Sequence, residues 1–554
     1  MLRIVVIAVC LVSNFALAAE YIGSKGAVAS RSTIASEVGR DILKMGGNAI
    51  DAAVATGFAL AVTYPSAGNI GGGGFAVLRL EDGSTYSLDF RETAPLALKP
   101  DHFLDESGEV VSERLTLHPL GCGVPGSVSG LLALHDRFGS LPLKDLITPA
   151  IELAKKGFPL SAALVESFKK QMKYMKSYPA SSAVFSNQGE PFEVQHVWTQ
   201  PDLAKTLKRI QKKGVDGFYR GKTADLLIAE IDAGGGVMTR GDLVAYQSKW
   251  REPIIGSYRN YQIISMPPPS SGGVLLVHIL QMLEQVVPKP WRDVDTVHLL
   301  IEAERLAYAD RSVHLGDPDS NDLPMEELLS AGYAKKRFNK ILMNRANVSD
   351  QLGAGRFPEE SPETTHYSVM DAQGNSVSVT TTLNWAYGNK RVVNGAGFLL
   401  NNEVDDFAVQ AGVPNSYGLL GNEKNLVRGG RRMLSSMSPT IIVGPEGSIT
   451  VLGSPGGSTI ITTVLQVILN LVDHEMTLNL AVQAPRFHHQ WKPDRVFFEP
   501  LGYFPSLVQE LEQRGHRGLV KRERPIGDVN AIQFRNGHFS AVTDPRFDAL
   551  PAVY

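Results

Sequence analysis

With 554 residues, 43% of them apolar and 20% charged, the chain has the composition of an ordinary globular protein. Its 54 basic and 57 acidic side chains leave a net charge of −3, which excludes the strong basic field of a nucleic-acid binder. Length alone predicts roughly three or four units, although large single-domain systems exist.

The first residues stand apart. Arg3 supplies a positive start, residues 4–17 are almost wholly apolar, and Ala16-Leu17-Ala18 is a small-x-small cleavage site, so 1–18 reads as a signal peptide cut after Ala18. A membrane anchor is the alternative, but about 14 apolar residues fall short of the roughly 20 needed to span a bilayer. The expectation is an exported protein, periplasmic or secreted, with no stable membrane span. Cys10 leaves with the peptide, and Cys122, with no second thiol or histidine cluster nearby, reads as a buried structural thiol.

Residues 36–45 have helical spacing of apolar positions, Gly46-Gly47 stops that helix, and an Ala-rich helix follows at 50–62. GNIGGGGFAVLRL (68–80) is a glycine run entering a strand, and in YSLDFRETAP (86–95) polar Ser87, Asp89 and Arg91 alternate with Tyr86, Leu88 and Phe90. From about 130 to 345 the pattern is mostly helical, broken by MPPPSSGG (266–273). Residues 344–363 are polar and rich in Gly, Pro and Glu, a solvated connection and the best boundary in the chain. Strands then dominate at 365–370, 376–383, 439–444 and 448–453, followed by a helix near 459–472 and two more strands in the last thirty residues. Two layers of sheet flanked by helices accommodate this order.

Several local patterns carry no chemistry. GFYRGKT (217–223) has three residues between its glycines where a phosphate-binding loop needs four. GSVSG (126–130) has no serine at the centre of a nucleophile elbow. His488 and His489 are adjacent and point apart, which suits packing better than a shared metal. The Gly71–Gly74 run lacks the lysine or fingerprint of a nucleotide site and reads as close strand packing.

The stretch SPETTHYSVMD (361–371) is more informative. TTHYSVM and SVSVTTTLN alternate on either side of DAQGN (371–375), which makes a hairpin; with Met370 opposite Ser376, Thr364 lies opposite Thr382, and Asn384 is just beyond. Paired threonines also suit any strand pair, so the pairing alone leaves its meaning open. A threonine hydroxyl is a poor nucleophile without a base, and the α-amino group of a chain that begins with threonine can serve as one. Thr364 begins a chain only if the Glu363–Thr364 bond is cut, and an exposed connection before a buried strand is a plausible place for that.

At this point the sequence resembles the γ-glutamyltransferases, or glutathione hydrolases, of the N-terminal-nucleophile hydrolases. The resemblance runs over the exported chain through GGNAIDAAVA (46–55), GNIGGGGF (68–75), DFRETAP (89–95), PPPSSGG (267–273), TTHYSVMD (364–371), LLNNEVDDF (399–407), LSSMSPT (434–440), GSPGGS (453–458) and APRFHHQW (484–491). It implies an α/β fold of α+β type, a four-layer αββα sandwich built from two processed subunits, 19–363 and 364–554. It further implies that Thr364 is the nucleophile and Thr382 its hydrogen-bond partner. Arg91, helped by Ser435 and Ser436, would hold a γ-glutamyl α-carboxylate, Asn384, Glu403 and Asp406 the α-ammonium, and the Gly456 and Gly457 N–H groups the oxyanion. Residues 408–432 match a lid loop with Tyr417 at its tyrosine position. The implied substrates are glutathione and related γ-glutamyl compounds, with water, amino acids or dipeptides as acceptors, and no metal or organic cofactor.

Met433 stands where many relatives have proline, and Trp385 is bulkier than expected beside the acceptor side. The alternatives are a same-fold acylase for glutaryl or cephalosporin amides, against which Asp406 argues, and an unprocessed exported binding protein, against which the intact Thr364 and Thr382 argue.

Overall fold

The alternation on either side of DAQGN does form a hairpin in the computed structural model, which describes residues 20–349, 364–413, 415 and 418–554. Thr364–Asp371 and Ser376–Thr382 pair antiparallel, with Met370 opposite Ser376 and Thr364 opposite Thr382. That is the register the turn predicts. The predicted signal peptide, Glu363 and Tyr417 lie outside the described residues.

The hairpin is the centre of a seven-stranded sheet ordered Ala552–Val553, Gly26–Ser30, Thr364–Asp371, Ser376–Thr382, Gly73–Arg79, Thr85–Asp89, Lys249–Arg251. A second seven-stranded sheet runs Tyr21–Gly23, His538–Thr543, Asn530–Arg535, Ile449–Leu452, Thr440–Val443, Tyr261–Ser265, Ile254–Tyr258. Both sheets take strands from before and after residue 364, so neither side of that position has a core of its own. The three or four units suggested by length are instead one interleaved body.

Period-two alternation sorts the faces. Tyr367, Val369, Val377 and Val379 point into a core shared with the helices Thr33–Lys44 and Ala49–Thr63. Met370, Ala27, Ala29, Phe75 and Val77 point the other way, into a core that holds the second sheet. Ile441 and Ile442, on opposite faces of their strand, both belong to that second core, which continues into the helices Gly272–Leu283, Val294–His314 and Thr459–Val472. The layers are therefore helix, sheet, sheet, helix. The Ala-rich helix is buried at every position, and Asn48 closes its first turn through a capping box with Asp51. A Cβ on Gly74 would stand 2.3 Å from the Thr380 carbonyl oxygen, so the glycine run does let one strand press against the hairpin.

Apart from Met370, the hairpin presents polar side chains between the sheets. Ser368 gives its proton to the Asn530 carbonyl at 2.9 Å, so it accepts from His366 Nε2 at 3.0 Å, which leaves Nδ1 to take the Thr380 hydroxyl proton at 2.9 Å. Burial holds the imidazole down to about 3, hence neutral. These satisfied bonds join the sheets one rung below Thr364 and hold its strand at a set depth.

One expectation fails in part. The mostly helical middle also contains Lys249–Arg251, Ile254–Tyr258 and Tyr261–Ser265, which end the two sheets. Their signal is two five-residue runs on either side of Arg259-Asn260, and long flanking helical patterns dilute it. Among the described residues no helix is long and apolar enough to cross a membrane.

Candidate active site

The open end of the hairpin faces a cleft lined by Thr364, Thr382, Asn384, Arg91, Glu403, Asp406, Ser435, Ser436 and Gly457. Periodicity could not have grouped these residues, since Arg91 lies over three hundred positions from its carboxylate partners. Gly456 is buried beside Gly457 but does not line the cleft. Leu419, which does, carries the segment following Tyr417 to the site.

Thr364 Oγ1 donates to Thr382 Oγ1 at 3.5 Å, and Thr382 Oγ1 accepts the Asn384 N–H at 2.8 Å. Asn384 has φ 74°, a left-handed conformation that asparagine tolerates, and it turns the chain out of the strand. Its amide then donates to the Asn402 carbonyl at 2.9 Å, tying the hairpin to the turn that carries Glu403 and Asp406.

Arg91 is fully buried and its guanidinium is shared. Nη1 meets Glu403, Nη2 meets Asp406, and Nε donates to the Met433 carbonyl at 3.3 Å. Burial alone would lower this guanidinium, but the Glu403, Asp406 and Glu92 carboxyls outweigh it and hold it above its ordinary value. Burial drives Glu403 and Asp406 upward against the pull of Arg91. Glu92, 3.9 Å from Arg91, is buried with neither carboxyl oxygen hydrogen-bonded, and burial pushes it up to about 8. One guanidinium cannot neutralise three carboxyls, and Glu92, the most distant of them, gains least from Arg91, so burial favours its protonated form.

Ser435 and Ser436 add hydroxyls to the cleft, and the Gly456-Gly457 turn adds backbone N–H groups at its edge. Ser435 Oγ accepts from Met437 N at 3.1 Å and Ser436 Oγ from Arg311 Nη2 at 3.4 Å, so each hydroxyl keeps its proton to donate. Gly456 and Gly457 have φ of 134° and 57°, and among the described residues neither N–H has an acceptor. Together these groups offer donors for an anion, acids for a cation, and two backbone N–H groups with no acceptor among the described residues.

Met433 does not loosen the end of the 408–432 segment. That side chain is fully buried in a third core with Ala94, Leu98, Phe103 and Phe407. Ala408 pairs with Leu426, and Leu434 N donates to Asn425 Oδ1 at 2.9 Å. Trp385 does not line the cleft; its indole N–H donates to Asp405 at 3.2 Å. Cys122 is a buried free thiol that burial pushes far above its ordinary value. His488 bonds Thr462 and Gln490, while His489 bonds Asp494. Sequence reasoning missed Arg311, Met437, Ser458 and Ile460, which also line the cleft.

A sequence profile described as Gamma-glutamyltranspeptidase matches residues 35–554. The chain is 44% identical over 536 residues to the glutathione hydrolase proenzyme of Escherichia coli (strain K12), covering 96% of this chain and 92% of that protein. The crystal structure of cephalosporin acylase from Bacillus halodurans superposes with a TM-score of 0.85 at 28% identity, covering 97% of each chain. That of Helicobacter pylori gamma-glutamyltranspeptidase superposes at 0.57 with 44% identity, over 58% of this chain and 93% of that one. Fold, cleft and sequence agree over nearly the whole length: the chain belongs to the gamma-glutamyltranspeptidase family of enzymes.

Proposed function

We propose that this protein is a self-processing γ-glutamyltransferase and glutathione hydrolase, exported and then cut between Glu363 and Thr364. In the precursor, Thr364 Oγ1 adds to the Glu363 carbonyl, the peptide C–N bond breaks, and the chain is joined through an ester while the nitrogen becomes a free amine. Water hydrolyses the ester, leaving a carboxylate on 19–363 and an N-terminal threonine on 364–554. The interleaved sheets keep the two chains together.

In turnover the Thr364 amine takes the hydroxyl proton as Oγ1 attacks the γ-amide carbonyl. The Gly456 and Gly457 N–H groups hold the oxyanion. The proton passes to the leaving nitrogen, cysteinylglycine in the case of glutathione, and a γ-glutamyl ester remains on Thr364. Water then yields glutamate, and an amino acid or dipeptide amine yields a new γ-glutamyl compound. Thr382 orients the nucleophile.

The donor's α-carboxylate joins Arg91, Ser435 and Ser436, and its α-ammonium takes Glu403, Asp406 and Asn384. Each substrate charge thus replaces half of an ion pair already present, so no buried charge is left alone. Tyr417 is the lid residue in this scheme.

The observation that carries this reading is the opposition of Thr364 and Thr382 at the mouth of a cleft holding the Arg91–Glu403–Asp406 cluster. A denaturing gel with mass measurement tests it: two chains, the smaller beginning at Thr364, with release of glutamate from glutathione. Thr364→Ala stays one inactive chain. An intact wild-type chain with full activity overturns the mechanism.

A further inference from the structure

Arg311 sits near the end of the helix Val294–His314, on the stripe with Val297, Ala303, Ala307 and Tyr308 that faces the second core. It is 5% exposed and lines the active-site cleft. The other buried arginines, Arg91, Arg305, Arg432 and Arg486, each have a carboxylate within 4.0 Å. Among the described residues Arg311 has none. Burial brings its guanidinium down to about 10, with Asp406 attracting it and Arg91 repelling it from across the cleft. A buried cation without a counter-ion costs several kcal/mol, so its retention beside an anion site calls for an anion.

Its contacts show how it would act. Nε donates to Ser271 Oγ at 2.9 Å, and Ser271 Oγ donates to the Ser435 carbonyl at 2.7 Å. Nη2 donates to Ser436 Oγ at 3.4 Å. A guanidinium only donates, so Ser436 must accept from it and turn its single proton elsewhere. The Ser435-Ser436 turn is thereby held from behind, with the Ser436 hydroxyl set as a donor.

We propose that Arg311 is a positioning residue that sets specificity for acyl donors with an α-carboxylate: it aims the Ser436 hydroxyl at that carboxylate and offers it a positive charge that no protein carboxylate has already paired. This inference rests on the γ-glutamyl reading and adds a second cation behind Arg91, reached through the serine pair.

Three anilides separate the charges. The γ-glutamyl anilide carries both, the glutaryl anilide lacks the ammonium, and the 4-aminobutanoyl anilide lacks the carboxylate. On processed enzyme, Arg311→Met lowers kcat/KM for the two carboxylate-bearing anilides by roughly tenfold to a hundredfold, the size expected when a hydrogen bond to a charged group is lost. The 4-aminobutanoyl anilide changes by less than about twofold, because the lost interaction is one it never makes. Ser436→Ala and Arg311→Met together cost less than the sum of the singles, since one acts through the other. Arg311→Lys, which keeps the charge but not the two-armed geometry, shifts the same ratio less, and it is the variant of record if the methionine form does not process. A purely structural role lowers all three anilides by one factor; that result, or an unchanged ratio in both variants, overturns the proposal. A wild-type enzyme that fails to hydrolyse the γ-glutamyl anilide refutes the proposed function itself, whatever the variants do.

Discussion

Thr382→Val tests the threonine pair with little change in shape. Valine replaces one hydroxyl by a methyl group, and the bonds lost include the Asn384 N–H to Thr382 Oγ1 at 2.8 Å and Thr364 Oγ1 to Thr382 Oγ1 at 3.5 Å. Asn384 is buried, so losing the Thr382 acceptor costs its N–H about 1–3 kcal/mol in stability. The Thr364 bond is long and between neutral groups, worth about 0.5–1.5 kcal/mol in orienting the nucleophile, which is roughly a 2- to 13-fold fall in kcat. KM changes less than kcat, because neither bond involves Arg91, the serines or the acids, and at Asn384 only the backbone N–H, not the side chain, is affected. The assay is steady-state hydrolysis of a γ-glutamyl anilide by the processed variant, with urea denaturation followed by circular dichroism. A processed Thr382→Val enzyme with wild-type kcat and a wild-type urea midpoint would refute the role given to the pair, and with it the meaning attached to the hairpin register.

Gly456→Ala places a Cβ 2.4 Å from Thr459 Oγ1 at a φ of 134°, so the loop must shift. If its N–H is an oxyanion donor, kcat falls by about 10²–10³ with little change in KM, read by the same assay. Glu92→Gln removes a buried carboxyl whose folded-state value is raised from 4.5 to about 8. The folded protein holds that proton more tightly than the unfolded one, so wild-type stability falls as pH rises through this window; thermal melts should coincide below pH 4.5, diverge in favour of the glutamine up to about 8, and run parallel above it. Asp406→Asn removes one acid from the ammonium side. It should lower kcat/KM for the γ-glutamyl anilide by about tenfold or more while sparing the glutaryl anilide.

The hairpin was legible because everything that sets its register is local: eight residues, a five-residue turn, seven residues, all alternating. The same holds for the helix pair at its capped and glycine-stopped ends. The three strands between 249 and 265 were not legible in the same way, because a short strand at a sheet's end buries only part of one face and its alternation is weak, as Ile255 at 52% exposure shows. The cleft depends on long-range contacts. Nothing in the spacing of Arg91, Glu403 and Asp406 indicates that they meet, and only the family resemblance placed them together. Arg311 did leave a trace, a charge on the apolar stripe of its helix, but that helix also buries Glu302, Glu304 and Arg305, which pair or bond away from the cleft. A buried charge on a helix is therefore visible in the pattern, while its purpose depends on what faces it.

The charges of the cleft, taken together, say more about its ligand than any single residue does. Two guanidiniums, Arg91 and Arg311, and two acids, Glu403 and Asp406, line one cleft, with Arg91 paired to both acids and Arg311 to neither. A γ-glutamyl donor brings one charge of each sign and leaves the balance of the cleft unchanged. A glutaryl donor would displace the acids from Arg91 without bringing the ammonium that takes them up, and a 4-aminobutanoyl donor would bring the ammonium without the carboxylate, each leaving a buried charge unpaired at a cost of several kcal/mol. Placement matters as well as charge. In the proposed binding mode Arg91 and the serine hydroxyls take the carboxylate and the acids and Asn384 the ammonium, so both groups on one α-carbon are satisfied together. In that mode the side-chain carbonyl is left for Thr364. Selection for a zwitterion and delivery of its amide to the nucleophile are thus consequences of the same arrangement, and a variant that disturbs the charge balance should change which acyl group is accepted before it changes how the threonine attacks.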